Sequence, residues 1–138
     1  MLAASGHAGP KLKEGDCQVP EGVYRIEYFN PNSRYHHSMK LDYPNADDRA
    51  QAARDGRSGL GNDIFIHGKM ASIGCLAMGD PAIEELFVMA ADTGQENVEI
   101  VTVPWDFRKK SPDAADQPEW VLQRYATLAE RLNTFKKQ

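Results

Sequence analysis

The chain has 138 residues, of which 41% are hydrophobic and 26% charged, and carries a formal net charge of −4. That suits one domain with a real core, while the acidic balance leaves no basic footprint for nucleic acid. No apolar run is long enough to span a bilayer.

The opening Met1-Leu2-Ala3-Ala4-Ser5-Gly6 has neither a charged n-region nor an apolar h-region, so no signal peptide is recognisable. Gly9 to Gly22 is rich in glycine and proline and predicts turns. Val23 to Phe29 is aromatic and β-branched and predicts a strand. Asn30-Pro31-Asn32-Ser33 predicts a turn, and Tyr35 to Leu41 the partner strand of a hairpin. Asp47 or Asp48 is the expected cap of a short Ala-rich helix that ends at Gly56. Asp63 to His67 predicts a central strand. Asp80-Pro81 predicts a helix start, with Asp80 as N-cap, and Gly94 a stop. Ile83, Leu86, Phe87 and Ala90 fall on one face of that helix. Val98 to Val103 predicts the last strand and Lys109 to Pro118 a polar connection. In the final helix Val121, Tyr125, Leu128, Leu132 and Phe135 share a face. Strands come early and no regular βαβ alternation follows, which predicts an α+β fold with a mainly antiparallel or mixed sheet.

Two cysteines, Cys17 and Cys75, do not make a disulfide framework. Cys75 stands apart because His67 precedes it by eight positions, across a stretch bounded by Gly68 and Gly74. A thiol is a poor nucleophile until ionised, and an imidazole can take its proton. Glycines free the backbone to fold tightly, so that amides near Ile73, Gly74 and Cys75 can converge on one oxygen. Ser72 either orients this loop or meets substrate; the plainer reading is a turn residue that closes on its own backbone. His36 and His37, adjacent on a predicted strand, are expected to point to opposite faces. No ligand spacing of a known zinc class is present, so no metal is expected. Lys11, Tyr43, Arg49 and Met78 are the candidates for substrate contact; for the methionine the plainer reading is core packing.

Ile66-His67-Gly68 followed by Ser72-Ile73-Gly74-Cys75-Leu76-Ala77-Met78 resembles the catalytic motif of the L,D-transpeptidase (YkuD-type) domain, in its YafK-like murein branch. Gly9-Pro10-Lys11, Gly15-Asp16, Pro20-Glu21-Gly22 and Tyr24-Arg25-Ile26 resemble that branch's opening. Asn30-Pro31-Asn32-Ser33-Arg34, Tyr43-Pro44-Asn45 and Pro104-Trp105-Asp106-Phe107-Arg108 resemble its later signatures. The resemblance implies a β-rich α+β domain with a mixed-sheet or β-sandwich core and flanking helices. It implies one catalytic domain over 1–138, here lacking the N-terminal strands or leader that members carry. Cys75 would be the nucleophile, His67 its base, the Gly68 carbonyl the holder of the imidazole tautomer, and Ser72 the residue that opens the cysteine motif. The amides of Gly74 and Cys75 match the oxyanion region. The substrate implied is a peptidoglycan stem peptide, cut between diaminopimelate and D-Ala through a thioester that passes to an amine or to water. The resemblance also implies a bacterial periplasm or cell envelope, a murein-linked protein as one acceptor, and no cofactor. Two departures stand out: Ile73 occupies a position that is commonly histidine, and the His-to-Cys spacing is short.

Overall fold

A computed structural model describes residues 1, 4–112 and 116–135. Part of the opening segment (2–3) and of the polar connection (113–115) therefore lies outside the described residues. The described residues form β1 (Gly22–Ser33), β2 (His36–Leu41), α1 (Ala46–Arg54), β3 (Phe65–His67), β4 (Leu76–Ala77), α2 (Asp80–Thr93), β5 (Glu99–Thr102) and α3 (Glu119–Asn133). The strands make one mixed sheet in the order β4-β3-β2-β1-β5. Its pairs are antiparallel except β3 with β4, which run parallel. The fold is α+β, with one sheet among the described residues rather than a sandwich of two.

Strand alternation sorts the side chains between the two faces. Tyr24, Ile26, Met39, Leu41, Ile66 and Leu76 join Ile83 and Ala90 of α2 in the larger apolar cluster. Val23 and Val101 turn the other way, to Val121, Tyr125 and Leu128 of α3. α2 and α3 thus cover opposite faces of the sheet. Ile83 and Leu41 are fully buried, and each such side chain contributes roughly 1.5–3 kcal/mol.

The hairpin differs from expectation. β1 continues through Asn30 to Ser33, and the turn falls at Arg34-Tyr35. Two irregularities, between Ile26 and Tyr28 and between Asn30 and Ser33, each place an extra residue on β1. The second accommodates Pro31, which cannot donate to a ladder, and the Asn30 carboxamide accepts the Asn32 N–H at 3.0 Å. His36 opens β2 with φ 76°. This breaks the alternation, so the His36 and His37 rings lie 4.6 Å apart instead of on opposite faces. His36 then bonds Glu84 at 2.6 Å, and His37 bonds the Pro31 carbonyl at 2.9 Å.

Helix boundaries also moved. α1 is capped by Asn45, whose side chain accepts N–H groups from Asp47 and Asp48, while Asp48 returns a bond to the Asn45 N–H. Neither expected cap holds that place: Asp47 only donates its N–H to Asn45, and Asp48 is the reciprocal partner. α2 begins at Asp80 with Gly79 as N-cap and no side-chain cap, and it ends at Gly94 as predicted.

Candidate active site

β3 ends at His67, and β4 begins one residue after Cys75. The parallel register sets Ile66 against Leu76 and His67 against Ala77. Residues two apart on a strand share a face, so Phe65, His67, Cys75 and Ala77 share one and Ile66 and Leu76 the other. Ile66 and Leu76 accordingly enter the core. His67 and Cys75 line one cavity of about 250 Å³ with Asn30, Ser33, Arg34, Tyr35, Ser38, Phe65, Ala71, Ser72 and Ile73. A larger cavity of about 900 Å³ opens on the opposite face, lined by Ile66, Leu76, Met78 and α2 side chains, without a cysteine.

His67 is buried, only 3% exposed. Its Nδ1 lies 2.5 Å from the Gly68 carbonyl oxygen. A carbonyl can only accept, so Nδ1 carries the hydrogen and the neutral ring keeps its lone pair on Nε2. Tyr35 lies against the imidazole, with ring centroids 4.6 Å apart. Ser38, paired with His67 across β2 and β3, adds a buried hydroxyl to the cavity wall. Only glycine fits at position 68. A Cβ there would stand 2.6 Å from the Tyr35 carbonyl and 2.7 Å from Asp80 Oδ1.

Cys75 is half-buried, and its thiol donates to the Asp63 carbonyl at 3.6 Å. Asp63 has φ 57°, a left-handed conformation that turns the chain just ahead of β3. Burial pushes the Cys75 thiol pKa up; the Asp63 charge adds to this, while a Phe65 N–H and the Lys11 charge oppose it. The net effect favours the protonated thiol.

The loop before Cys75 is closed by Ser72. Its hydroxyl donates to the Cys75 carbonyl at 2.5 Å and accepts the Gly74 N–H at 3.2 Å. Ser72 thus acts as the turn residue. The Gly74 amide is engaged by Ser72, and the amides of Ile73 and Cys75 donate to no hydrogen bond among the described residues. Gly74 has φ 128°, and its missing Cβ allows the Gln18 carbonyl to lie close, at 3.3 Å from where a Cβ would be. Ile73 is 84% exposed at the rim.

The four residues expected to touch substrate lie outside this cavity. Lys11 pairs with Asp16 at 2.6 Å. Tyr43 is buried and donates to the Leu60 carbonyl at 3.1 Å. Arg49 is exposed on α1. Met78 is three residues from Cys75, so strand parity turns it to the core face. Sequence reasoning missed the contribution of the hairpin end, Ser33, Arg34 and Tyr35. The available signal was an Arg-Tyr pair where the predicted turn, Asn30 to Ser33, passes into the strand predicted from Tyr35.

The family model for the L,D-transpeptidase catalytic domain (YkuD) matches residues 1–103. An Escherichia coli (strain K12) protein provisionally named L,D-transpeptidase YafK is 36% identical over 106 residues, covering 73% of this chain and 41% of its own length. Its counterpart in Escherichia coli O157:H7 matches to the same extent. The chain thus spans about two fifths of the length of these curated relatives. Among solved structures, the helical cell shape determining protein Pgp2 from Campylobacter jejuni superposes with a TM-score of 0.54 at 17% identity, covering 96% of this chain and 59% of that one. A single-residue variant of Pgp2 gives a TM-score of 0.53 at 18% identity, over 95% of this chain and 58% of the other. At that identity the Pgp2 likeness speaks to fold alone. The family model covers well over half of the chain, and the YafK relatives are 36% identical over the 106 residues they share with it, so the chain belongs to the L,D-transpeptidase catalytic domain family.

Proposed function

We propose that this domain is a cysteine-dependent L,D-transpeptidase that acts on peptidoglycan stem peptides in the bacterial periplasm or cell envelope. The observation that carries the reading is the shared cavity: Cys75 and His67 face it together, and the Nδ1 bond to Gly68 leaves Nε2 as the basic nitrogen.

The thiol leaves the Asp63 carbonyl by rotation about its Cα–Cβ bond and gives its proton to His67 Nε2. The sulfur then bonds to the carbonyl carbon of the diaminopimelate–D-Ala link. The amides of Ile73 and Cys75, which donate to no hydrogen bond among the described residues, hold the negative oxygen that forms. The C–N bond breaks, His67 returns its proton to the departing D-Ala amine, and a thioester remains on Cys75. An acceptor amine, on a second stem or a murein-linked protein, attacks the thioester. His67 takes its proton, and the sulfur leaves as the new amide forms. Water in place of the amine makes the same site a carboxypeptidase. The steps need no metal or organic cofactor.

The test is mass spectrometry of the protein incubated with a stem tetrapeptide, with and without an amine acceptor. Release of D-Ala with a tripeptide adduct on Cys75 is the expected result. The mass of the final product then separates transfer from hydrolysis. Folded protein that binds the tetrapeptide but forms no adduct and releases no D-Ala would overturn the reading and leave a non-catalytic binding module. Undiminished release by Cys75→Ala would overturn the nucleophile assignment.

A further inference from the structure

We infer that Asp80 is a positioning residue for His67, acting through the Gly68–Lys69 peptide; this rests on the reading of His67 as the base. The carbonyl and N–H of one trans peptide point in opposite directions across a rigid plane. In this peptide both ends are engaged. The Gly68 carbonyl accepts from His67 Nδ1 at 2.5 Å, and the Lys69 N–H donates to Asp80 Oδ1 at 2.8 Å. Carboxylate, peptide and imidazole form one hydrogen-bonded row. Bonds in such a row polarise one another. A carboxylate that draws on the N–H makes the opposite carbonyl a better acceptor. That favours the Nδ1–H tautomer and supports the imidazolium that forms when Nε2 takes the thiol proton.

Three further observations agree. Asp80 is the first residue of α2, yet no side chain caps that helix. A carboxylate at a helix N-terminus ordinarily finds the helix's own N–H groups; this one turns back to the loop. Lys69 has φ 57°, a left-handed conformation disfavoured for a residue with a side chain. It is held there by Asp80, by a Gly79 N–H to its carbonyl at 3.1 Å, and by its own ammonium on the Arg34 carbonyl. The space a Cβ would fill at Gly68 is taken by the Tyr35 carbonyl and by Asp80 Oδ1, so the carboxylate packs directly against the glycine that carries the carbonyl. Asp80 does not line the cavity and touches no reacting atom. Its part resembles that of the aspartate in a serine-protease triad, with a peptide unit interposed.

The test compares Asp80→Ala with Asp80→Asn, which retains an acceptor oxygen. ¹⁵N shifts of the His67 ring report the tautomer directly and require no substrate. The expected result is a defined Nδ1–H tautomer in the wild type and Asp80→Asn, and a mixture in Asp80→Ala. The first-order rate of Cys75 acylation by saturating stem peptide should fall roughly tenfold or more in Asp80→Ala and stay within about threefold of wild type in Asp80→Asn. A folded Asp80→Ala with the wild-type tautomer would overturn the inference. If the alanine variant does not fold, hydrogen exchange of the Lys69 amide in the wild type decides: protection supports the row, and exchange at the free-loop rate overturns it. Loss of the tautomer without any acylation in the wild type would count against the transpeptidase reading, not against the positioning role.

Discussion

The ring of Tyr35 lies over the imidazole of His67 with 4.6 Å between centroids. Tyr35 is itself 47% exposed, so it screens the histidine from solvent without adding much to the core. Such a ring pair contributes about 0.5–1.5 kcal/mol. Tyr35→Ala should therefore cost little in urea unfolding but, with His67 as the proposed base, should slow Cys75 acylation roughly tenfold, because the imidazole loses the wall that orients it. Tyr35→Phe keeps the ring and should behave like wild type in both assays. A large loss of stability with unchanged acylation would show that the contact serves the fold and not the site.

Burial raises the Cys75 pKa, and the sign of the consequence is definite. A raised pKa means less thiolate at any pH below it. At neutral pH iodoacetamide should label the exposed Cys17 faster than Cys75, and peptide mapping separates the two sites. The Cys75 rate should keep climbing with pH beyond the range in which an ordinary thiol levels off. Acylation should likewise rise with pH, as the Cys75 thiol gives up its proton more readily. A Cys75 alkylation rate already at its plateau at neutral pH would contradict a buried, protonated resting thiol.

Asp16 organises the loop that backs the active site. Its carboxylate takes the Lys11 ammonium and the Leu12, Lys13 and Gln18 N–H groups, and Gln18 in turn places its carbonyl beside Gly74. Burial alone would raise the Asp16 pKa, but the bonds from Lys11 and the backbone outweigh it and hold the pKa at about 2, against an ordinary 3.8. A folded-state pKa below the unfolded one stabilises the protein above the unfolded value, and the benefit disappears as pH falls through the folded one. With allowance for solvent, Asp16 contributes about 1–2 kcal/mol at neutral pH. Asp16→Asn should be less stable than wild type by that amount at pH 7, and the gap should close as pH is lowered from 3.8 to about 2. Paired urea titrations of wild type and variant check this, since acid effects shared by both cancel.

Much of the fold was legible where the signal is local. The alternation of Tyr24 and Ile26, the Asp80-Pro81 helix start and the Gly94 stop all express chain chemistry within a few residues. The thiol and imidazole were legible from their motif. Tyr35 was not, because its place over His67 depends on the two extra residues in β1 and on the left-handed His36, none of which periodicity records. Charge alone marks Lys11 and Arg49 as candidates. Charge does not say which cation already has a carboxylate, and Lys11 has Asp16. Met78 was excluded from the cavity by parity, which could be applied only once the two-residue β4 was seen as a strand. The capping role of Asp80 was a reasonable local inference, overturned by a partner eleven residues earlier.

The parallel pairing of β3 with β4 has a consequence for how the site tolerates change. The ladder clamps His67 from one side and the start of β4, next to Cys75, from the other. The intervening segment closes the circuit but does not set the separation of the two groups. Residues at its outer bend, such as Met70 and Ile73, point into solvent. Insertions beside Met70 would leave the ladder pairing of His67 intact while changing the surface next to the cavity. On the proposed reading Gly68, Lys69, Ser72 and the Ile73 and Cys75 amides belong to the reactive machinery, so only the solvent-facing part of the bend around Met70 can be exchanged without rebuilding it.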